Sequence, residues 1–111
     1  MSIPHHQDLA AGKWQTLTLI QQLANIGSEF HRALKAFQNH RESRFKLAFD
    51  RMMELLTLSV SDPRWPEPRR REIARLRENI CEGFFGKNPC AESLLGLEKY
   101  FYYFGVTARN S

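Results

Sequence analysis

Few side chains in this sequence have the types and the spacing that catalysis requires. The 111 residues include four histidines, of which His5 and His6 lie in a stretch without apolar periodicity. His31 follows Glu29 by two positions, and residues two apart on a helix point to different sides, so this pair predicts no oriented base. The sequence contains no phosphate-binding glycine loop, no His-Glu-x-x-His and no Gly-x-Ser-x-Gly. We therefore predict that the protein is not an enzyme and has no catalytic residues.

The two cysteines are the best candidates for metal chemistry. Cys81 and Cys90 flank a predicted turn, and with Glu82 and a histidine they would supply zinc ligands, although their spacing is not that of structural zinc sites. A di-iron site in a helical bundle would need Glu-x-x-His, which does not occur. Two cysteines are also too few for a disulfide framework. We predict reduced thiols that pack as small apolar groups, with no metal site and no cofactor.

Basic side chains offer electrostatic chemistry instead. The net charge is +4, and residues 32–51 alone carry six cations against two carboxylates. A second run of arginines lies at residues 69–71, where Glu67, Glu72 and Glu78 would pair with arginines three or four positions away and leave a solvated face. The candidate phosphate-binding residues are Arg41, Arg44, Lys46, Arg69, Arg70 and Arg71.

The apolar spacing predicts four helices that would position these groups. Apolar residues recur at alternating steps of three and four, which is the rhythm of one helix face. The first helix is predicted over residues 14–38 and the second from about 42 to 60, and three prolines then mark a loop at residues 61–68. The third ends near Gly83 or Gly86 and is predicted to be the shortest, and the fourth begins at Asn88-Pro89. The predicted core-facing residues are Leu19, Leu23, Ile26, Phe30, Ala33, Phe37, Phe45, Ala48, Met52, Leu55, Ser59, Ile73, Leu76, Ile80, Phe84, Cys90, Leu94, Leu97, Phe101, Phe104 and Ala108.

These elements predict an all-α protein, an antiparallel up-down-up-down four-helix bundle. Residues 1–12 are predicted to be a flexible N-terminal tail, and residues 13–111 a single four-helix-bundle domain. The longest apolar run is the seven residues 100–106, which is too short to cross a bilayer. No secretory signal pattern opens the sequence. We expect a cytoplasmic protein with no membrane association.

More apolar surface is present than one bundle would bury. Residues 100–104 are five consecutive aromatics, and at 100° per residue they sweep the whole circumference of a helix. Exposed apolar patches usually mark association surfaces, so we predict a homo-oligomer, with a dimer favoured. The candidate interface residues are Leu19, Leu23, Ile26, Tyr100, Tyr102 and Tyr103. In the alternative, neighbouring helices absorb most of the rings and the tyrosine hydroxyls reach solvent.

Three further residues need an interpretation, and two of them, Trp65 and Gly96, have two interpretations each. Trp65 stands in the proline-rich loop, where it would cap the bundle end or serve as an anchor for a partner. Gly27 and Gly96 fall inside predicted helices and suggest close backbone approach, although Gly96 is equally well explained as a surface glycine.

Four segments of the chain carry a resemblance to known sequences: Gln22-Leu23-Ala24-Asn25-Ile26-Gly27-Ser28-Glu29, Ala48-Phe49-Asp50-Arg51-Met52-Met53-Glu54-Leu55-Leu56, Asp62-Pro63-Arg64-Trp65 and Glu72-Ile73-Ala74-Arg75-Leu76-Arg77-Glu78. They resemble short uncharacterised prokaryotic helical proteins, which implies no activity. The element Asn79-Ile80-Cys81-Glu82-Gly83-Phe84 is similar to the Asn-Ile-Ala-Glu-Gly element of the rRNA intervening-sequence protein family, whose members are four-helix bundles in ring-like or dimeric assemblies. Cys81 departs from that family's alanine. This resemblance implies a bundle and a link to RNA, and it carries no site residues.

Together these observations predict a non-enzymatic, self-associating helical-bundle interaction or scaffold protein, whose main partner is a second copy. The alternative is a nucleic-acid-binding accessory protein, with RNA favoured, that uses its basic helical surfaces. An acidic protein is the other partner that a basic surface would accept.

Overall fold

The computed structural model describes residues 12–86 and 91–109, and all regular structure within them is helical. A short 3₁₀ helix, Lys13–Thr16, precedes four α-helices: α1 (Leu19–Gln38), α2 (Glu42–Val60), α3 (Glu67–Phe85) and α4 (Ala91–Arg109). The prediction of four helices is confirmed, and the described residues contain no strand. The predicted tail, apart from Gly12, and the predicted Asn88-Pro89 helix start lie outside the described residues, as does Cys90.

The first helix begins later than predicted because Thr18 caps it. The Thr18 hydroxyl accepts a hydrogen bond from the backbone amide of Gln21 at 3.1 Å, and the Gln21 side chain accepts one from the Thr18 amide at 2.9 Å. This reciprocal capping box satisfies amides at the helix start and fixes the boundary. Residues 13–16 therefore form a separate turn, which places the side chain of Trp14 in the core.

The third helix is longer than predicted. Glu67–Phe85 contains 19 residues, the same as α2 and α4, so the prediction that it is the shortest is wrong. Pro66 is the N-cap and Pro68 lies in the first turn, where a missing N–H costs no helical hydrogen bond. The end of the proline-rich loop is thus already helical, and α3 stops at Gly86.

The core lies between all four helices. α1 packs extensively against α2 and α4. α3 contacts the same two helices less extensively, so each helix has two neighbours. Residues of all four predicted stripes are buried there, including Phe30, Met52, Ile80 and Phe101. The ring of Phe30 contacts the rings of Phe84 and Phe101, with centroid distances of 5.7 and 5.2 Å. The prediction is confirmed at the buried members of each stripe, whereas six other members are only half-buried: Leu19, Phe37, Phe45, Leu97, Phe104 and Ala108.

Gly27 lets α4 approach α1 closely. A Cβ atom at Gly27 would lie only 2.7 Å from the Cβ of Phe101, whereas a Cβ at Gly96 would have no atom within 4 Å. The suggestion of close approach is confirmed for Gly27. At Gly96 nothing in the described chain requires a glycine.

These two glycines form a matched pair for a stability test. We expect Gly27→Ala to lower the free energy of unfolding by about 1 to 2 kcal/mol, because the clash outweighs the better helix propensity of alanine. Gly96→Ala should raise it by about 0.5 to 1 kcal/mol, since propensity alone changes. Urea denaturation measures both values. Equal effects of the two substitutions would contradict the contact between Gly27 and Phe101.

Candidate functional site

One end of the bundle contains a buried polar cluster, which we call the Gln22 cluster: Trp14, Gln22, Ser59, Asp62, Arg64 and Trp65. Gln22, Ser59 and Asp62 are fully buried. The Gln22 side-chain NH₂ donates to the Trp14 carbonyl oxygen at 3.0 Å and to Asp62 Oδ2 at 2.9 Å. Its oxygen accepts from the Ser59 hydroxyl at 2.9 Å and from the Trp65 indole at 3.1 Å. The amide thus makes four hydrogen bonds, which is its full capacity.

Asp62 connects the cluster to the loop between α2 and α3. Its carboxylate accepts from the backbone amide of Arg64 at 3.0 Å and from the Arg64 guanidinium at 3.0 and 2.7 Å. The same guanidinium donates to the Leu17 carbonyl oxygen at 2.6 Å and lies 4.4 Å from the centre of the Trp65 ring. These hydrogen bonds from Arg64, opposed by burial and helped by Gln22, lower the pKa of Asp62 to about 2.

The Gln22 cluster is structural rather than catalytic. The Ser59 hydroxyl accepts a hydrogen bond from the Trp14 indole at 3.0 Å and donates one to Gln22. The Gln22 side-chain oxygen already accepts two hydrogen bonds, so it has no capacity left for a ligand. The Trp65 donor is also engaged within the chain. This supports the packing interpretation of Trp65 over that of a partner anchor. Sequence reasoning missed the cluster, although a glutamine four residues before Ile26, on a core-facing stripe, was a usable signal.

The depressed pKa of Asp62 predicts a loss of stability in acid. Because the folded-state pKa is about 2 and the ordinary value is 3.8, the stabilisation is complete above about pH 4 and disappears as the pH falls toward 2. We expect a loss of about 2 kcal/mol over that range. Asp62→Asn should be less stable than the wild type at pH 7. Below pH 4, its free energy of unfolding should change less with pH than that of the wild type. Urea denaturation at several pH values tests this, and parallel curves would contradict it.

A second feature, at the other end of α1, is a groove of about 360 Å³ between α1 and α2, which we call the basic groove. Among the described residues, five cationic side chains and no carboxylate line it. Its floor contains Ala36, Ala48 and the exposed Leu47. The lining residues are His31, Arg32, Lys35, Ala36, Asn39, Arg41, Arg44, Leu47, Ala48 and Arg51.

Helical spacing brings these cations together. Arg32 and Lys35 are three apart on α1, and Arg41, Arg44 and Arg51 follow steps of three and seven into α2. Such steps place side chains on one face of a helix. The turn that joins the helices is tight, with His40 in the left-handed region at φ 55° and the Arg41 amide bonded to the Ala36 carbonyl oxygen at 2.9 Å. The two basic faces therefore face one groove.

Most cations of the basic groove have no ion-pair partner in the part of the chain that the structure describes. Arg32 pairs with the buried Glu29 at 2.8 Å. Across residues 12–86 and 91–109, Lys35, Arg41, Arg44 and Arg51 have no carboxylate oxygen within 4 Å. Unpaired cations in a concave, partly apolar site focus a positive potential.

The other candidate phosphate contacts are placed differently. Arg69 pairs with Glu72 at 3.1 Å and Arg71 with Glu67 at 2.6 Å. Arg70 donates to the Asp62 carbonyl oxygen at 3.2 Å. Lys46 is exposed on α2 but does not line the basic groove. The structure thus brings together Arg41 and Arg44 and leaves the other four candidates outside the groove.

A second groove, of about 670 Å³, lies between α1 and α4, and we call it the tyrosine groove. Tyr102 lines it together with Lys99 and Arg109. His31 Nδ1 and Glu98 Oε2 lie 3.2 Å apart across it. Its lining residues are Ala24, Gly27, Ser28, Phe30, His31, Arg32, Glu98, Lys99, Phe101, Tyr102, Gly105 and Arg109.

The candidate interface residues are split between core and surface. Leu23 and Ile26 are buried in the chain's own core, and Leu19 packs against it half-buried, so the α1 part of the expected interface is corrected to core. On α4, Tyr102 and Tyr103 are 68% and 65% exposed and Tyr100 is 43% exposed. These three rings remain available at the surface.

No metal centre emerges from the described residues, which contain no group of three or more His, Cys, Asp and Glu that would hold an ion. Cys81 is half-buried on α3, and the expected proximity of Cys90 lies outside the described residues. None of the helices within residues 12–86 and 91–109 is long and apolar enough to cross a membrane.

Comparison of the chain with protein-family models, with curated proteins and with solved structures found no match. Within the element Asn79-Ile80-Cys81-Glu82-Gly83-Phe84, packing explains the glycine, because a Cβ at Gly83 would lie 2.7 Å from a methyl carbon of Leu94. The likeness of this element to the intervening-sequence family stays a prediction.

Proposed function

We propose that this protein binds the phosphate backbone of a nucleic acid in the basic groove, without enzymatic activity. The supporting observation is that Arg32, Lys35, Arg41, Arg44 and Arg51 line that groove, with no carboxylate among its described lining residues. Guanidinium groups match phosphate oxygens in a two-pronged geometry. Within residues 12–86 and 91–109, four of the five cations have no carboxylate partner to give up on binding.

A nucleic acid fits the groove better than an acidic protein does. The cations are spread along two helices, from Arg32 to Arg51, on both sides of one groove, which suits the regular charge spacing of a phosphate backbone. Interfaces with acidic proteins gain much of their affinity from buried aromatic anchors, and the groove floor offers only Ala36, Ala48 and Leu47.

Salt dependence tests the proposal directly. With four phosphate contacts, the logarithm of the affinity should fall against the logarithm of the salt concentration with a slope of about −3, so 200 mM salt should bind about 50-fold more weakly than 50 mM. Fluorescence anisotropy with labelled RNA and DNA oligonucleotides measures this slope. Binding of neither polymer at 50 mM salt would refute the proposal.

We also propose self-association through the exposed face of α4. The supporting observation is the row of exposed apolar side chains on that helix, Leu95, Tyr100 and Tyr103. Apolar side chains grouped on one helix face favour burial against a second copy. Light-scattering mass at two protein concentrations tests it, and a monomer at both concentrations would refute it.

For the arrangement of the helices, we propose an antiparallel up-down-up-down bundle. The connections at residues 39–41 and 61–66 are short, and each helix packs against its neighbours in sequence, as in such bundles. A cytoplasmic location stays a prediction.

A further inference from the structure

We infer that the nucleic acid is single-stranded, with its phosphates in the basic groove and a base stacked on Tyr102 in the tyrosine groove. This inference rests on the proposed function and names its ligand class. It accounts for a feature that phosphate binding alone does not explain, the exposed aromatic ring of Tyr102 beside the basic groove.

The two grooves form one continuous surface. His31 and Arg32 line both of them. Along α1, Ser28 belongs to the tyrosine groove and Asn39 to the basic groove. These eleven steps of helix span about 16 Å, or roughly five nucleotides at the rise of a stacked strand. One short strand would therefore reach both sites.

Tyr102 has the properties of a stacking platform. Its side chain is 68% exposed and faces the same groove as Lys99, Arg109 and Arg32. The His31 and Glu98 pair, at 3.2 Å, adds polar groups beside the ring. Proteins that hold single strands combine a cationic groove for the backbone with aromatic rings for the bases.

The charge around Tyr102 favours this ligand over an apolar one. Three cations and one carboxylate, Glu98, are among the described residues that line the tyrosine groove, and this excess of positive charge attracts an anionic polymer. A duplex would meet the cations but not the ring, because its bases stack on each other and present only their edges. The strand must be unpaired for Tyr102 to contribute.

The chain offers a matched control for the test. Tyr103 is 65% exposed, next to Tyr102 and on the same helix, but it does not line the tyrosine groove. The test compares three variants, Tyr102→Leu, Tyr102→Trp and Tyr103→Leu, with the wild type. Each is titrated with a single strand and with a hairpin duplex of about 10 nucleotides per strand, both as RNA and as DNA.

We expect Tyr102→Leu to weaken single-strand binding about 10-fold with an unchanged salt slope, and Tyr102→Trp to retain binding. Duplex binding should be the same for both Tyr102 variants and the wild type. Tyr103→Leu alters the proposed self-association face, so its expected result is a ratio of single-strand to duplex affinity equal to that of the wild type. Equal loss with Tyr102→Leu and Tyr103→Leu, no loss with either, or equal loss on single strand and duplex would overturn the inference. If the wild type binds no polymer, the proposed function fails as well, whereas binding that depends on the basic groove but not on Tyr102 overturns the single-strand inference alone.

Discussion

Gln22→Leu is expected to lower the free energy of unfolding by about 4 kcal/mol, the largest stability effect of any single substitution considered for this chain. The substitution removes four hydrogen bonds at once. It leaves the Ser59 hydroxyl and the Trp65 indole without an acceptor for their protons. The Trp14 carbonyl oxygen keeps the Leu17 amide, and Asp62 Oδ2 keeps the Arg64 guanidinium. Each unsatisfied buried group costs about 1 to 3 kcal/mol, and relaxation recovers part of the sum. The total free energy of unfolding of a domain of this size is only about 5 to 15 kcal/mol.

Urea denaturation followed by tryptophan fluorescence measures this loss. Trp14 and Trp65 are the only tryptophans in the sequence, and both donate hydrogen bonds to the cluster. Gln38→Ala is the control, because Gln38 is exposed on the same helix, and it should change stability by less than about 0.5 kcal/mol. A loss below about 1 kcal/mol for Gln22→Leu would show that the cluster does not hold this end of the bundle together.

Arg44→Glu is expected to weaken nucleic-acid binding about 30-fold at low salt, the largest binding effect. Arg44 lines the basic groove and has no carboxylate within 4 Å among the described residues. The change removes one phosphate contact and places a repelling carboxylate in the groove, which should also reduce the salt slope by about 1. Anisotropy titrations at several salt concentrations measure both quantities.

Lys46→Glu provides the matched control for Arg44→Glu. It makes the same change in net charge, two residues away on the same helix, at a side chain outside the groove. Screening over roughly 10 Å should keep its effect below about 3-fold. If both variants weaken binding equally, overall charge rather than the groove attracts the polymer, and the proposed site is wrong.

Sequence patterning predicted the helices and their buried faces, but not all of their boundaries. Periodicity identifies a stripe such as Phe30 and Ala33 because burial follows helical spacing. It does not identify where a helix starts when apolar residues continue across the boundary, as they do at Leu17, and only the Thr18 capping box settles that point. The early start of α3 was missed because Pro66 and Pro68 were interpreted as loop residues, although both positions suit a helix start.

The candidate site could be predicted in part. The excess of charge over residues 32–51 was visible in the sequence, and Arg41 and Arg44 fall in the groove that it forms. Helical spacing places Lys46 on a different side from Arg44, two residues away. The sequence could not show which of these sides faces α1, because that depends on how α1 and α2 pack. Nor could it show Asp62 beside Gln22, forty residues away, or the tyrosine groove, which requires α4 to lie against α1.

The Gln22 cluster and the basic groove occupy opposite ends of α1, and Gln22 and Asn39 are about 25 Å apart along its axis. Sites separated by more than about 10 Å without shared partners behave additively. A chain that carries both Gln22→Leu and Arg44→Glu should therefore combine the stability of the first variant with the affinity of the second. Because neither Trp14 nor Trp65 lines either groove, indole emission reports the folded fraction during titrations of every variant that adds no tryptophan.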